Sequence, residues 1–224
     1  MSSLLDLICP ARCAGCGVPE GPVCARCAIA LAAAPVRHRP APCPPGLPPT
    51  WVVATYDDAT RALLIAFKER GAVGLARPLG DALARAIGSC LEPGLPALVV
   101  PAPSARAAVR RRGDDTVRML ATRAVRRLRV AGWQVAVAPV LTQRRFVADS
   151  AGLSSQARAA NLAGALMVRR SAMHRVRDAR VVVVDDLVTT GVTLTEASRA
   201  LSRCGAQVLG AAAVAATRRR IANW

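Results

Sequence analysis

Lysine is almost missing from this 224-residue chain: of its 31 basic residues only Lys68 is a lysine. Aromatic side chains are nearly as scarce, with three Trp, two Phe and one Tyr. A stacking platform for single-stranded nucleic acid would therefore be poorly supplied. No apolar run approaches the roughly 18–20 residues that a membrane span requires, so none is expected. The opening segment, Met1 to Cys9, has no basic start, and Asp6 interrupts its apolar run, which is not the pattern of a secretory signal. A cytoplasmic location is the expectation. The lone lysine stands in Phe67-Lys68-Glu69-Arg70 and not in Gly-x4-Gly-Lys-Ser/Thr, which excludes a P-loop NTPase. No Gly-x-Gly-x-x-Gly follows a strand pattern either, which removes the usual dinucleotide fingerprint. Acidic residues number only 14, leaving a net charge of +17. Two readings of that charge stand side by side: a polyanionic partner, or the arginine-rich, lysine-poor composition of a GC-rich genome.

What the chain does contain is concentrated in one stretch, Val181 to Thr193. Four consecutive valines, Val181 to Val184, predict a strand buried on both faces, as in a parallel sheet. The strand is expected to end in Asp185 and Asp186, followed by Leu187, Val188, Thr189, Thr190, Gly191, Val192 and Thr193. Thr193 and Glu196 have capping-box spacing and predict a helix starting there. The backbone N–H groups of Thr189 to Thr193 would then ring an anion at a helix N-terminus. An anion loop beside carboxylates suited to a diol describes a site for ribose 5-phosphate. The competing reading is an ordinary strand–turn–helix, but core strands seldom end in two adjacent acids and Thr-Thr-Gly without a ligand to hold.

Five of the eight cysteines lie between positions 9 and 27. Cys13-Ala-Gly-Cys16-Gly17 reads as a metal knuckle, with both thiolates able to face one ion and a glycine for the tight turn. Cys24-Ala-Arg-Cys27 repeats the spacing, so Cys13, Cys16, Cys24 and Cys27 are the expected ligands of a structural Zn²⁺. Disulfides are the alternative, disfavoured in a reducing compartment. Cys9, four residues before Cys13 on an apolar segment, is either a competing ligand or, the favoured reading, a buried free thiol, and Cys43, Cys90 and Cys204 have no partner at metal spacing.

Residues Pro35 to Pro49 are nearly half proline, which no helix or central strand tolerates. They read as a semi-rigid linker, 35–50, between a finger, 1–34, and a larger domain, 51–224. In that domain strand and helix patterns alternate: Trp51–Tyr56, Asp58–Arg70, Leu75–Ile87, Leu98–Pro103, Thr116–Leu128, Val135–Leu141, Arg180–Val184, Leu194–Arg203 and Gln207–Ala216. The expected fold is α/β, a parallel sheet with helices on both faces and ligands beyond the strand C-termini.

Val181 to Thr193 resembles the phosphoribosyl pyrophosphate (PRPP) signature of type I phosphoribosyltransferases at every position. Other segments extend the likeness: Ala66 to Gly71, Val99-Val-Pro-Ala-Pro103, Ala151-Gly-Leu-Ser154, Asn161-Leu-Ala-Gly164 and the two cysteine pairs. Together they resemble the ComF family, competence-associated phosphoribosyltransferase-like proteins with an N-terminal zinc finger. The chain departs from the family at Arg112-Gly113-Asp114-Asp115-Thr116, where Arg-Gly-Phe-Asn-Gln is usual, and at Ser150, where Gln is common. Only Cys43 remains of the second cysteine-rich segment that many members carry.

The resemblance implies a type I phosphoribosyltransferase fold that binds PRPP with Mg²⁺ and displaces pyrophosphate. Asp185 and Asp186 would hold the ribose hydroxyls or a metal-bound water, and Thr189 to Thr193 the 5-phosphate. Pro101 and Ala102 belong to the Val-Pro-x-Pro loop. Arg112, with Arg106, Arg110 and Arg111, either screens pyrophosphate or is a solvated helix start. Arg145 either closes over the leaving group from a lid or is simply exposed. Implied partners are single-stranded DNA and a competence helicase, translocase or DNA-processing protein, in the handling of imported DNA. Two other functions stay open: a non-catalytic PRPP- or nucleotide-binding module, and a nucleobase phosphoribosyltransferase of salvage.

Overall fold

The computed structural model describes residues 12–104, 115–143 and 164–217. Helix α1 (Ala25–Ala32) leads into strand β1 (Val36–His38), then β2 (Thr50–Thr55), α2 (Asp58–Glu69), a 3-10 turn and α3 (Ala76–Gly88). Strand β3 (Ala97–Pro101), α4 (Thr116–Val130), β4 (Val135–Val137), β5 (Leu141–Gln143) and β6 (Leu166–Val168) follow. The short α5 (Met173–Val176), β7 (Arg180–Val188), α6 (Val192–Ser202) and β8 (Gln207–Ala216) complete the described order. Six strands form one sheet in the order β1-β2-β8-β7-β3-β4, parallel except for β1, and β5 pairs antiparallel with β6 in a small second sheet. The α/β fold with a mostly parallel sheet flanked by helices is therefore as the alternation predicts.

Strand alternation divides the apolar residues between two cores. Val182, Val184, Ala212 and Val214 face α1 to α4, together with Leu63, Phe67, Leu83 and Leu120. Val181, Val183, Ala211 and Ala213 face α6, α5 and the small sheet, together with Leu194 and Leu201. Val181 to Val184 of β7 are fully buried, each contributing roughly 1.5–3 kcal/mol. Alanines in β8 leave short side chains under both layers, so helices on either face approach the sheet closely.

Three expectations are corrected. First, β7 does not stop at the valines but runs to Val188. Among the described residues its outer half has one strand neighbour: Asp185, Leu187 and Val188 pair with Ala213, Ala215 and Ala216 of β8, whereas β3 ends opposite Val184. Second, α6 begins at Val192, with Gly191 as its N-cap, and no side-chain capping box forms. Glu196 is occupied elsewhere: its Oε1 accepts from Leu166 N–H at 3.1 Å, and Arg199 donates to both its oxygens at 2.6 and 2.7 Å. Burial raises the Glu196 pKa, but those donors win and hold it below the usual value. The pair thus fastens the small sheet to α6. Third, the strand expected over Val135–Leu141 divides at Pro139, where the ladder is lost, into β4 and β5 of different sheets.

The Pro-rich segment contributes only an edge strand, β1, where proline is tolerated on either side. Leu31 of α1 and Cys13, Cys24 and Cys27 share the core formed with α2 and α3. The cysteine turns therefore pack directly on the helical layer of the sheet.

Candidate functional site

The open end of β7 and its neighbour β3 form the site. Pro101 pairs with Val184, and the Ala102 N–H donates to the Val184 carbonyl at 2.8 Å, which draws the proline loop against β7 just where the carboxylates begin. Asp185 is half-buried, and its Oδ1 accepts the Asp186 N–H at 2.9 Å. Asp186, on the opposite face of the strand, is 2% exposed and forms an ion pair with Lys68, in the last turn of α2. Burial pushes the Asp185 carboxyl up to about 6, against the pull of the Lys68 ammonium and with a further push from the Asp115 carboxylate.

Beyond Val188 the chain turns through Thr189 and Thr190 to Gly191, whose φ of 76° is left-handed and comfortable only for glycine. A Cβ there would also meet Leu47 at 3.1 Å and Pro40 at 3.3 Å, so the Pro-rich segment lies on this turn. The Gly191 carbonyl takes the Thr195 N–H at 3.0 Å and the Thr195 hydroxyl at 3.1 Å. Among the described residues, no backbone acceptor meets the N–H groups of Thr189 to Thr193. They stand at the positive end of an 11-residue helix, an arrangement suited to an anion.

The structure thus brings Pro101, Ala102, Asp185, Asp186 and the Thr189–Thr193 turn to one sheet edge. Arg106, Arg110, Arg111, Arg112 and Arg145 lie outside the described residues, as do Cys9, Ser150 and Ala151 to Ala163. Two site residues escaped the sequence reading. Lys68 was visible as the one lysine of an arginine-rich chain and within the family-like segment Ala66 to Gly71, but with no partner or role assigned. Asp115 was visible only as a departure from a family pattern. It caps α4, accepting the Arg118 N–H at 3.3 Å, and receives the Ser104 hydroxyl at 3.0 Å. Asp115 and Ser104 line a cavity of about 290 Å³ with Pro101, Thr142 and Arg169, beside the β3 end.

The carboxylates are hard oxygen donors, as Mg²⁺ prefers. Burial is the main cause of the raised Asp185 pKa, and a cation brought in with a ligand would oppose it.

The second cluster is made by the two cysteine turns. The sulfurs of Cys13, Cys16, Cys24 and Cys27 all lie within 4.8 Å of one another, and Cys16 and Cys24 are 3.5 Å apart. A tetrahedral zinc with bonds of about 2.3 Å places its sulfurs roughly 3.8 Å apart. Gly17, at φ 80°, turns the chain so that its N–H reaches the Cys13 carbonyl at 2.8 Å. Burial pushes the Cys13 thiol up, but N–H groups of Cys24, Cys16 and Gly15 outweigh it and bring it to about 6. The Val18 N–H, followed by Cys24, lowers Cys16. Cys27 is driven strongly upward by burial and by the other three sulfurs. Four sulfurs in that space cannot all ionise without a cation between them, and this donor set fits structural Zn²⁺. Elemental analysis is expected to give about one Zn per chain. Substituting Cys16 should release it and substituting Cys43 should not; metal retained in the Cys16 variant would mean that the ligand set is wrong.

A family model, phosphoribosyl transferase domain, matches residues 114–224. That span takes in α4, the carboxylate strand β7, the Thr189–Thr193 turn, α6 and β8. Among curated proteins nothing matches the chain significantly. Taken with the parallel sheet and the carboxylate-and-anion-loop edge, the match shows that this chain carries a phosphoribosyltransferase-type domain joined to an N-terminal four-cysteine cluster.

Proposed function

We propose that the protein is ComF-like and binds PRPP with Mg²⁺ at the β7 edge, as a phosphoribosyltransferase acting in the cytoplasm. The observation that carries this reading is the juxtaposition of Asp185 and Asp186 with the N–H groups of Thr189 to Thr193, which meet no backbone acceptor among the described residues, at the end of one central strand. The carboxylates would accept the ribose hydroxyls, and the turn would hold the 5-phosphate. Displacement of pyrophosphate from the anomeric carbon passes through an oxocarbenium-like state that needs no protein nucleophile. It needs positioning and charge stabilisation, which fixed carboxylates and oriented N–H groups supply without reorganising. Mg²⁺, when bound with the substrate, would neutralise the leaving pyrophosphate. Arg112 and Arg145 are proposed to screen the same group.

The arginines of α4 favour a further partner. Arg77 and Arg123 line two cavities, about 570 and 900 Å³, with Arg85 and Arg127 on one and Arg118 and Arg126 on the other. We propose that this face contacts the phosphates of single-stranded DNA, as the competence role of ComF proteins would require. Base stacking would contribute little, because so few aromatics are present.

Three outcomes are expected. Changing Asp185 and Asp186 together to Ala removes at least two charge-assisted hydrogen bonds, each worth about 1.5–3 kcal/mol. PRPP affinity by calorimetry should then fall roughly a hundredfold or more, and unchanged binding by the folded double variant would sink the assignment. The second outcome is a pH dependence. The ionised Asp185 is the form that accepts hydroxyl protons, and its pKa in the free protein is about 6. PRPP affinity should therefore weaken as pH falls through 6, approaching about tenfold per unit. Asp185→Asn should show only the ligand's own titration, and parallel profiles would contradict the role. The sign for folding is opposite: a carboxyl raised in the native state costs stability as pH rises from about 4 to 6. Third, anisotropy titrations with single-stranded DNA should show log affinity falling with log salt by about 0.7 per phosphate contact. Arg123→Ala and Arg126→Ala should each flatten that slope. Binding that is weak at low salt, or insensitive to salt, would leave the arginines to composition.

A further inference from the structure

Asp186 is a carboxylate at 2% exposure, a position that requires a cation or several donors. The fold meets that need with Lys68, whose side chain remains one-third exposed. The choice of residue is informative because every other basic side chain in the protein is arginine. A guanidinium would grip the carboxylate with two parallel hydrogen bonds and stay there. An ammonium is a compact point charge on a flexible stem, able to leave one anion for another.

Position adds a second argument. The apolar residues of α2, Leu63, Leu64 and Phe67, belong to the core on one face of the sheet. Those of α6, Leu194, Ala197 and Leu201, belong to the core on the other. Lys68 and the Thr189–Thr193 turn therefore flank the two carboxylates from opposite faces. C1 and C5 lie at opposite ends of a ribose, so a sugar seated on the carboxylates with its 5-phosphate at the turn would carry its anomeric substituent away from that turn, and Lys68 stands on the other flank of the carboxylates.

We propose that Lys68 is a ligand-contacting residue: it is the counter-ion of Asp186 in the free protein and passes to the anionic 1-substituent of an entering sugar phosphate. The proposal rests on the reading of this edge as a PRPP site and names Lys68 as the group that distinguishes a 1-diphosphate from a sugar without one. Noncovalent partners are exchanged and no bond is made or broken. The ribose hydroxyls replace the ammonium on Asp186, the diphosphate replaces Asp186 on the ammonium, and neither buried charge is left bare.

Calorimetry with two ligands, PRPP with Mg²⁺ and ribose 5-phosphate, separates this role from a structural one. Lys68→Met should lose roughly tenfold or more in PRPP affinity, the loss of one charged hydrogen bond. Its affinity for ribose 5-phosphate should be unchanged or tighter. Equal losses for both ligands would overturn the proposal, since that is what a merely loosened Asp186 produces. A second measurement needs no variant. Wild-type protein grown on lysine labelled with ¹³C at Cε gives a single resonance, because Lys68 is the only lysine. That resonance should move when PRPP saturates the protein, and an unmoved signal at calorimetric saturation would also overturn the proposal. Wild-type protein that binds no PRPP at all would remove the site reading itself, a failure visible before any variant is made.

Discussion

A carboxylate sealed into the end of a parallel sheet must be answered by positive charge, and at Asp186 much of the local architecture follows from that requirement. The acid is placed there by β7, whose fully buried valines fix the strand between β3 and β8. Its answer comes from α2, which is held over the same face by Leu63, Leu64 and Phe67. Asp185 lies on the other face of the strand, where burial raises its pKa. Because β3 ends opposite Val184, both carboxylates sit where one flank of the strand is open. Apolar packing thus fixes the two carboxylates at the end of the strand.

The same economy of parts runs through the turn that follows. Gly191 permits the left-handed step that starts α6 without a side-chain cap, and among the described residues no backbone acceptor meets the first N–H groups of the helix. Pro40 and Leu47 close over this glycine, which gives the Pro-rich segment a structural role beyond spacing. On the far side of the sheet the four cysteines join the core of α2 and α3. A metal in that cluster would therefore brace the layer from which Lys68 reaches the site.

What was legible in the sequence was what short-range pattern controls. Val181 to Val184 announced a buried strand, the residues after it a turn into a helix, and two Cys-x2-Cys pairs a cluster whose sulfurs do converge. The misses have a common cause. Thr193 and Glu196 have capping spacing, yet Glu196 is taken by Leu166 and Arg199, a tertiary demand that outweighs a local cap. The apolar run Val135–Leu141 reads as one strand, but Pro139 removes a ladder donor and the chain changes sheets. The partnership of Lys68 with Asp186 crosses most of the domain, and no local pattern encodes it. Proline content excluded a helix between Pro35 and Pro49 but said nothing of where the segment would come to rest.

The central claim is that the open end of β7 is a ribose-phosphate site, and electron density for crystals soaked with PRPP and Mg²⁺ tests it most directly. The account predicts a phosphate within about 3 Å of the N–H groups of the Thr189–Thr193 turn. It also predicts ribose hydroxyls on Asp185 and Asp186. Density for the ligand elsewhere, with Asp186 still paired to Lys68 and the turn empty at saturating ligand, would contradict it.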